Sequence, residues 1–301
     1  MTIEEVLPNP DLEDGKANFD SVYNGDDPRE YYQELGSLGY EIPHHGQQMF
    51  SALLAAQAEE RGDTTPPTVL DLCCSYGIIG ALLRCDLTME DLVSHYRSPD
   101  VADLSSEELT AVDRAFYADH LVPDPPTIAG LDVSDRAIGY AQKVGLLQHG
   151  AAENLEDAVP SPELAGVVAD ADLITVTGGV GYITAKTFAH LFDASEGGPA
   201  PWFAAFTLRR FSYHDIADVL ADRGLVTERL VGRTFPQRRF SCDEEREFTL
   251  RHLDESGLDV TGKEADGSFH TEFYLSRPAA EVAERPLTDL LPDLAGQAQQ
   301  M

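Results

Sequence analysis

The chain has 301 residues, 53 of them acidic and 21 basic, and its formal net charge at pH 7 is −32. A charge of this sign repels phosphate backbones and anionic lipid surfaces, so nucleic-acid and membrane partners are not expected. The acidic surface is equally typical of high salt and of a GC-rich genome, and it bears more on solubility than on function. The length predicts one core of ordinary size with additions at its N-terminus and in its loops.

The four cysteines indicate a reducing compartment. Cys73, Cys74, Cys85 and Cys242 lack the paired spacing of zinc ligands, and two of them are adjacent in an apolar segment where a disulfide framework is implausible. The N-terminal segment is acidic and polar, and no segment is apolar over the length that a bilayer requires. We therefore expect a soluble cytoplasmic protein, a monomer or homodimer, without a metal site.

The first 64 residues predict a leader and a helical cap. Residues 1–28 are rich in Asp, Asn, Gly and Pro and show little periodicity, which predicts a mobile acidic leader. Residues 29–64 predict two helices on either side of a break that begins at Gly39. Tyr40, at this break, either reaches a ligand or packs into the core.

From residue 65 to about 280 the pattern changes to short apolar strands that alternate with helical segments. The strands are VLDL, IAGLDV, DLITVT, WFAAFTL, LVTERLV and FHTEFYL. This alternation predicts an α/β domain with a doubly wound, mainly parallel sheet and helices on both faces. The last strand alternates apolar and polar residues, so we expect it to be antiparallel. Residues 281–301 are predicted to be a C-terminal tail.

The first crossover of this sheet is unusually long. Fifty-five positions separate Gly77 from Asp132, whereas a single crossover helix needs about a dozen residues. The excess, residues 85–126, contains two good helix starts, at Thr88 and at Ser105. We predict a helical insertion after the first βα unit, placed so that it covers a site.

Two strand ends carry the residues most typical of a nucleotide site. In VLDLCCSYG, Asp71 closes a strand, and Cys73, Ser75 and Gly77 keep the following turn small, so that a ligand can approach the backbone. Only Gly77 is expected to adopt positive φ without strain. In IAGLDVS, Asp132 closes the next strand, where a carboxylate commonly receives a ribose diol.

These segments resemble the class I S-adenosylmethionine-dependent methyltransferase superfamily. VLDLCCSYG is similar to its first motif and GLDVS to its second, HGAAENLED is similar to the segment that meets the adenine, and ADLITVTGG to the fourth strand with its substrate-facing end. The resemblance covers most of residues 65–280 and excludes the leader and the insertion. It implies a Rossmann-like, seven-stranded sheet that binds S-adenosylmethionine.

The resemblance also implies roles for individual residues. Asp71 and the backbone of the turn would hold the methionine part of the cofactor, Asp132 the ribose, and Glu153 or Asn154 would lie beside the adenine. Tyr40 would reach the cofactor carboxylate from the cap. The implied cofactor-binding residues are Asp71, Cys73, Ser75, Gly77, Asp132, Val133, Glu153, Asn154, Thr177 and Tyr40.

Elementary chemistry favours a sulfonium cofactor over a dinucleotide at this turn. A pyrophosphate needs several exposed amides at a helix N-terminus, which the Gly-x-Gly-x-x-Gly turn provides. Here the corresponding stretch, Ser75 to Gly80, lacks the first glycine and follows an acidic strand end. That acid disfavours two phosphates, whereas a cationic amino acid nucleoside tolerates it.

Five further residues are candidates for catalysis or substrate binding, each with a structural alternative. Tyr182, in a glycine-rich loop, faces the transferred group or anchors a helix, and Tyr76 lines the site or packs away from it. His214 is a candidate general base or a surface residue at a helix start. Arg209 and Arg238 bind an anionic part of the substrate or pair with the abundant acids.

The predicted function is methyl transfer from S-adenosylmethionine to a small molecule by in-line displacement. The sulfonium is already an activated leaving group, so the protein supplies mainly alignment and dryness, and a strong general base is optional. Two alternatives stay open. One is chemistry on the amino acid part of the cofactor, either cyclisation or aminopropyl transfer, which yields methylthioadenosine. The other is a protein that binds the cofactor without turnover.

Overall fold

The computed structural model describes residues 12–13, 16–17, 20–62, 65–195, 199–291 and 297–300. Residues 1–11, 14–15 and 18–19 of the predicted leader lie outside the described residues, as do residues 292–296 and 301 of the predicted tail. The helices are α1 (Asp20–Tyr23), α2 (Arg29–Ser37), α3 (Ile42–Arg61), α4 (Ile78–Arg84), α5 (Met89–Tyr96), α6 (Pro99–Ala102), α7 (Ser106–Asp119), α8 (Asp135–Lys143), α9 (Pro162–Ala169), α10 (Ala185–Ala194), α11 (His214–Ala221), α12 (Asp243–Glu255), α13 (Ala279–Glu284) and α14 (Leu287–Leu290). The strands are β1 (Leu12–Glu13), β2 (Lys16–Ala17), β3 (Thr68–Leu72), β4 (Thr127–Asp132), β5 (His149–Ala152), β6 (Leu173–Thr177), β7 (Trp202–Leu208), β8 (Leu225–Val231), β9 (Phe235–Arg239), β10 (Ser268–Pro278) and β11 (Gln297–Gln300).

Seven strands form the body of the main sheet, in the order β5-β4-β3-β6-β7-β10-β8. Strands β3 to β7 are parallel, and β10 lies antiparallel between β7 and β8. This arrangement confirms the predicted Rossmann-like sheet with its antiparallel last strand. Two short strands extend it, because β9 pairs with β10 and β11 pairs with β8.

Side chains of the buried strands alternate between two cores, one on each face of the sheet. In β7, Trp202, Ala204 and Phe206 face one core, while Phe203 and Ala205 face the other. A strand that is buried on both faces reads as a continuous apolar run, which explains the segment WFAAFTL. Helices cover both faces, as the doubly wound pattern predicts.

The insertion has the predicted helices but a different position. Thr88 and Ser105 each form a capping box at the starts of α5 and α7, as predicted. The insertion packs on α2 and α8, and the buried carboxylate of Asp113 accepts hydrogen bonds from His95 Nε2 and the Tyr140 hydroxyl, both at 2.7 Å. It therefore supports the cap from outside.

Residues 22–28 of the predicted leader contact the rest of the chain. Val22 is buried, and the Tyr76 hydroxyl donates to the carbonyl oxygens of Val22 and Gly25, at 3.1 and 3.2 Å. The Arg29 guanidinium binds the Asp27 carboxylate and also donates to three carbonyl oxygens around the end of α6. These contacts hold the leader between the turn after β3 and the insertion.

Candidate functional site

A cavity of about 440 Å³ lies at the carboxyl ends of β3, β4 and β6, where the strand order reverses direction along the sheet. Open parallel sheets bind their ligands at this point, because the loops on either side diverge there. The walls come from the leader and the α2–α3 region, the turn after β3, the ends of β4, β5 and β6, and β9. The insertion, residues 85–126, contributes no lining residue, so the expectation that it covers the site is wrong.

The structure brings together eleven of the fifteen residues predicted for the site. They line the cavity from several separate segments and are Tyr40, Asp71, Cys73, Ser75, Asp132, Val133, Glu153, Asn154, Thr177, Tyr182 and Arg238. Strand-end reasoning thus located the cavity correctly. Lining alone assigns no role to any of them.

The turn after β3 adopts the left-handed conformation at three alternate positions. Cys73 has φ 54°, Ser75 has φ 50° and Gly77 has φ 79°, so two residues with a Cβ share the conformation that only Gly77 adopts without strain. A non-glycine residue in this region costs about 1–2 kcal/mol. The turn is held nonetheless, because the Ser75 amide donates to Asp132 Oδ2 at 2.9 Å and the Cys74 amide to the Leu131 carbonyl at 3.3 Å.

Asp132 fastens this turn to the end of β4. Its second oxygen, Oδ1, accepts a hydrogen bond from the Ser134 amide at 3.0 Å. A carboxylate has about four lone-pair sites, so each oxygen keeps acceptor capacity for a ligand. The neighbouring Val133 is 71% exposed and also lines the cavity, which places the Asp132 backbone at the cavity rim.

Asp71 is a buried carboxylate at the floor of the cavity. It is 2% exposed and accepts a hydrogen bond from Thr175 Oγ1 at 2.8 Å. Burial raises the pKa of Asp71 to about 7, with a further increase from the negative charge of Asp132. A cation bound near this carboxylate would favour its ionised form.

The loop after β5 lines the cavity with residues whose polar atoms are already engaged. Glu153 accepts from the Ser161 amide and hydroxyl, at 3.0 and 2.6 Å, and Asn154 donates to Asp157 at 2.7 Å. Glu156 accepts from the hydroxyl groups of Thr184 and Thr187, at 2.7 and 2.6 Å. These bonds shape the loop and present its backbone and the apolar Leu155 to the cavity.

Four tyrosines form an aromatic side of the cavity. Tyr31 makes edge-to-face contacts with Tyr23 and Tyr40, with ring centroids 5.7 and 6.1 Å apart. Tyr182 lies at the mouth and is 62% exposed. Burial raises the pKa of Tyr40 to about 12, so its hydroxyl is neutral and able to donate.

Strand β9 supplies two lining residues, and sequence reasoning missed one of them. Arg238 binds Glu245 through two N–H···O bonds of 2.9 and 2.7 Å, and both side chains are buried. Gln237 is 3% exposed and faces the cavity. Gln237 lies in VGRTFPQRRF, where the arginines are the evident candidates for binding, and Pro236 beside it is compatible with an edge strand.

Three buried polar atoms at the cavity have no hydrogen-bond partner among the described residues. They are Ser75 Oγ, Thr177 Oγ1 and Gln237 Oε1. An unsatisfied buried polar group costs about 1–3 kcal/mol, so a polar ligand that pairs with it gains that free energy. The three atoms mark where such a ligand would form hydrogen bonds.

The remaining predicted residues lie outside the cavity lining. Tyr76 is buried under the leader, where its hydroxyl binds the two carbonyls described above, and Gly77 packs against Ala141 and Leu146. His214 is exposed at the first residue of α11. Arg209 is paired with Glu264 and donates to the Asp259 carbonyl at 2.9 Å. The position of Tyr76 corrects the idea that it lines the site.

Two classes of feature are not found in the part of the chain that the structure describes. No helix there has the length and apolarity needed to cross a bilayer. No three side chains of His, Cys, Asp or Glu there are grouped as metal ligands would be.

No protein-family model matches the sequence, and no curated protein matches it. Solved structures to which the chain shows similarity include magnesium protoporphyrin IX methyltransferase from Synechocystis PCC 6803 with bound SAM, at 13% identity and a TM-score of 0.40, over 89% of this chain and 99% of that one. Another is a TehB-like SAM-dependent methyltransferase from Corynebacterium glutamicum, at 15% identity and a TM-score of 0.35, over 78% and 97%. A third is the plantazolicin methyltransferase BpumL in complex with SAH, at 9% identity and a TM-score of 0.38, over 86% and 97%. Likenesses at this level assign no function to the chain.

Proposed function

We propose that this protein binds S-adenosylmethionine in the cavity and transfers its methyl group to a small molecule. The observation that carries the proposal is the strained turn from Cys73 to Gly77, fastened to the Asp132 carboxylate at the point where the strand order reverses. Backbone strain that surrounding contacts over-determine clusters at binding sites. The turn, the carboxylate and the cavity coincide as the sequence resemblance implies.

The residues present fit the chemical parts of this cofactor. Asp71 is a buried carboxylate that forms no salt bridge with a described residue, and it suits the positive charge of the amino acid end. Asp132 retains acceptor capacity for the ribose hydroxyls. The buried Ser75 Oγ has no hydrogen-bond partner among the described residues and can bond to a polar group of the cofactor. The loop around Leu155 offers an apolar surface and backbone groups to the adenine.

The same residues disfavour a dinucleotide. Apart from Arg238, which is neutralised by Glu245, the charged residues that line the cavity are all acidic: Asp71, Asp132, Glu153 and Glu156. A pyrophosphate would meet this negative field with few compensating cations. The acidic lining supports a cationic ligand instead.

When bound, S-adenosylmethionine would supply a methyl group carried on a positively charged sulfur. Transfer of the methyl group would leave the sulfur as a neutral thioether, and the proton of the acceptor would pass to solvent. The chain's own contribution is then to align an acceptor and exclude water, which requires no strong base. Residues 23–43 exclude water from part of the cavity, because Tyr23, Tyr31, Tyr40 and Pro43 close one side of it. We assign to Tyr182, at the mouth, the role of shaping the acceptor pocket and donating a hydrogen bond there.

The placement of the insertion bears on the alternative chemistry. A covered cavity would favour cyclisation, which needs no acceptor molecule. The insertion lies behind the cap, and the mouth beside the exposed Tyr182 is accessible. This accessibility supports transfer to a second molecule.

Two measurements test the proposed function. Calorimetry should detect binding of S-adenosylmethionine and S-adenosylhomocysteine to the purified protein. Mass spectrometry of reactions with candidate acceptors should then find S-adenosylhomocysteine as the product. Methylthioadenosine as the only product would replace methyl transfer by chemistry on the amino acid part, and binding without any turnover across the acceptor panel would favour a non-catalytic protein.

A further inference from the structure

Strand β9 and the loop between α2 and α3 form one wall of the cavity. The Glu41 amide donates to the Gln237 carbonyl, and the Arg239 amide donates to the Leu38 carbonyl, both at 2.8 Å. These bonds join Tyr40 and Gln237 into one backbone-linked unit. The wall is therefore built to hold its side chains in place.

Gln237 directs a buried amide into the cavity. Its side chain is 3% exposed, and its Oε1 has no hydrogen-bond partner among the described residues. A Cβ on Gly178 would lie 2.6 Å from Gln237 Nε2, so the glycine at the end of β6 leaves room for this amide. An unsatisfied oxygen in a site made to fit it indicates a donor group on a ligand.

A second acceptor atom lies on the residue next to Gly178. Thr177 Oγ1 is buried, lines the cavity and has no partner within the described residues. The amide oxygen can only accept a hydrogen bond, whereas the hydroxyl can accept or donate. A ligand that satisfies both oxygens must bring an O–H or N–H group to this end of the cavity.

Charge and shape restrict the rest of the ligand. Arg238 is neutralised by Glu245, and the other ionisable side chains at the cavity are carboxylates, tyrosines and the thiols of Cys73 and Cys74, so an anionic ligand is disfavoured. The rings of Tyr23, Tyr31, Tyr40 and Tyr182 favour a flat, apolar body.

We infer that the methyl acceptor is a small, uncharged aromatic compound carrying a hydroxyl or N–H group, and that Gln237 selects it by accepting a hydrogen bond from that group. That this ligand is the methyl acceptor rests on the proposed function. That Gln237 recognises the ligand is independent of the proposed function, because binding of the ligand can be measured without any turnover.

The test uses three probes that share a 4-ethylphenyl group on the full-length protein. Ligand-observed NMR titrations, with and without saturating S-adenosylhomocysteine, compare 4-ethylphenol with 4-ethylanisole, which lacks the donor, and with 4-ethylbenzoate, which is anionic. We expect the phenol to bind at least tenfold more tightly than either. In Gln237→Met, the affinity for 4-ethylphenol should exceed that for 4-ethylanisole by less than threefold. The affinity of the variant for S-adenosylhomocysteine should stay within twofold of the wild-type value.

Gln57→Met is the matched control. Gln57 is also 3% exposed and also has an Oε1 without a partner among the described residues, but it lies outside the cavity lining and donates to the Asp172 carbonyl at 3.0 Å. It should leave the probe ratio unchanged. If Gln237→Met does not fold, the wild-type protein is titrated with 4-ethylaniline, which has an N–H donor, and with its N,N-dimethyl derivative, which has none. An affinity for 4-ethylaniline that is less than threefold higher overturns the inference.

Three results on the first probe set also overturn it: no binding of 4-ethylphenol, tighter binding of 4-ethylbenzoate, or a phenol-to-anisole ratio that Gln237→Met leaves intact. A wild-type protein that fails to bind S-adenosylmethionine or its demethylated product contradicts the proposed function instead. The probe ratio measured without S-adenosylhomocysteine still decides the role of Gln237 in that case.

Discussion

The cavity has two sides that differ in chemistry and in how the chain builds them. The carboxylate side consists of Asp71, Asp132 and the turn between Cys73 and Gly77, all at adjacent strand ends. The aromatic side combines tyrosines of the leader and the cap with Tyr182 and with β9. The cap and β9 are about 200 positions apart in the chain and are joined by backbone hydrogen bonds. The first side suits a cation and a ribose, and the second suits a flat neutral ring.

The two sides of the cavity are held in place by different parts of the fold. The carboxylate side is built on a parallel sheet whose register fixes Asp71 and Asp132 within the same rigid frame. The aromatic side depends on contacts between the leader, the insertion and an edge strand. Changes on the first side should therefore alter cofactor affinity, and changes on the second should alter acceptor choice and the closure of the cap.

The largest expected effect is that of Asp132→Ala on the carboxylate side. The substitution removes the acceptor of the Ser75 and Ser134 amides together with the proposed ribose contact. We expect S-adenosylmethionine affinity to fall by about 1–3 kcal/mol, the cost of a charge-assisted hydrogen bond. Calorimetry measures this change. Asp135→Ala, three positions later and exposed, is the control, and an equal loss in both variants would contradict the role of Asp132.

Cofactor affinity should also depend on pH through Asp71. Burial raises the pKa of this carboxyl to about 7, and a bound cation lowers it, so binding should strengthen as the pH rises through 7. Between pH 6 and pH 8 the gain is about tenfold, or about 1.4 kcal/mol. In the protein without ligand the sign is opposite, because the stability that Asp71 contributes is complete below pH 3.8 and is lost as the pH rises toward 7.

Asp71→Asn separates this effect from other titrations. The amide keeps an oxygen that accepts from Thr175 Oγ1 but cannot ionise. Calorimetric titrations of the variant at pH 6 and pH 8 should give affinities within about twofold of each other. A tenfold rise that persists in Asp71→Asn would assign the pH dependence to another group.

The two sides also differ in what the sequence predicted. Asp71 and Asp132 end apolar runs, and strand ends in a parallel sheet meet at one edge, so periodicity alone placed them together. Gln237 had no such signal, because β9 is a short edge strand that contains Pro236 and owes its position to pairing with β10. The leader contacts had no sequence signal for a related reason: Val22 and Tyr23 are isolated apolar residues among polar ones, and they contact Tyr76 and Tyr31, which lie further along the chain.

On the aromatic side, Tyr76→Phe should loosen the leader without touching the cavity lining. The variant loses the hydrogen bonds to the carbonyls of Val22 and Gly25. We expect a loss of about 1 kcal/mol in the free energy of unfolding and faster proteolysis within residues 20–28. Tyr117→Phe removes another buried hydroxyl bond, to Tyr96, and should destabilise the protein similarly without faster cleavage in the leader. Equal cleavage in both variants would contradict the role of Tyr76.

The smallest expected effect has the opposite sign and lies in the turn itself. Cys73 has φ 54°, a conformation that costs a residue with a Cβ about 1–2 kcal/mol, whereas glycine adopts it readily. Glycine also increases the entropy of the unfolded chain, by about 0.5–1 kcal/mol, so Cys73→Gly should stabilise the protein by about 0.5–1 kcal/mol. Urea denaturation measures this difference. Cys74→Gly is the control, because Cys74 is buried outside the positive φ region and the same substitution there should destabilise. Destabilisation by both changes would mean that the sulfur of Cys73 contributes more to packing than its backbone conformation costs.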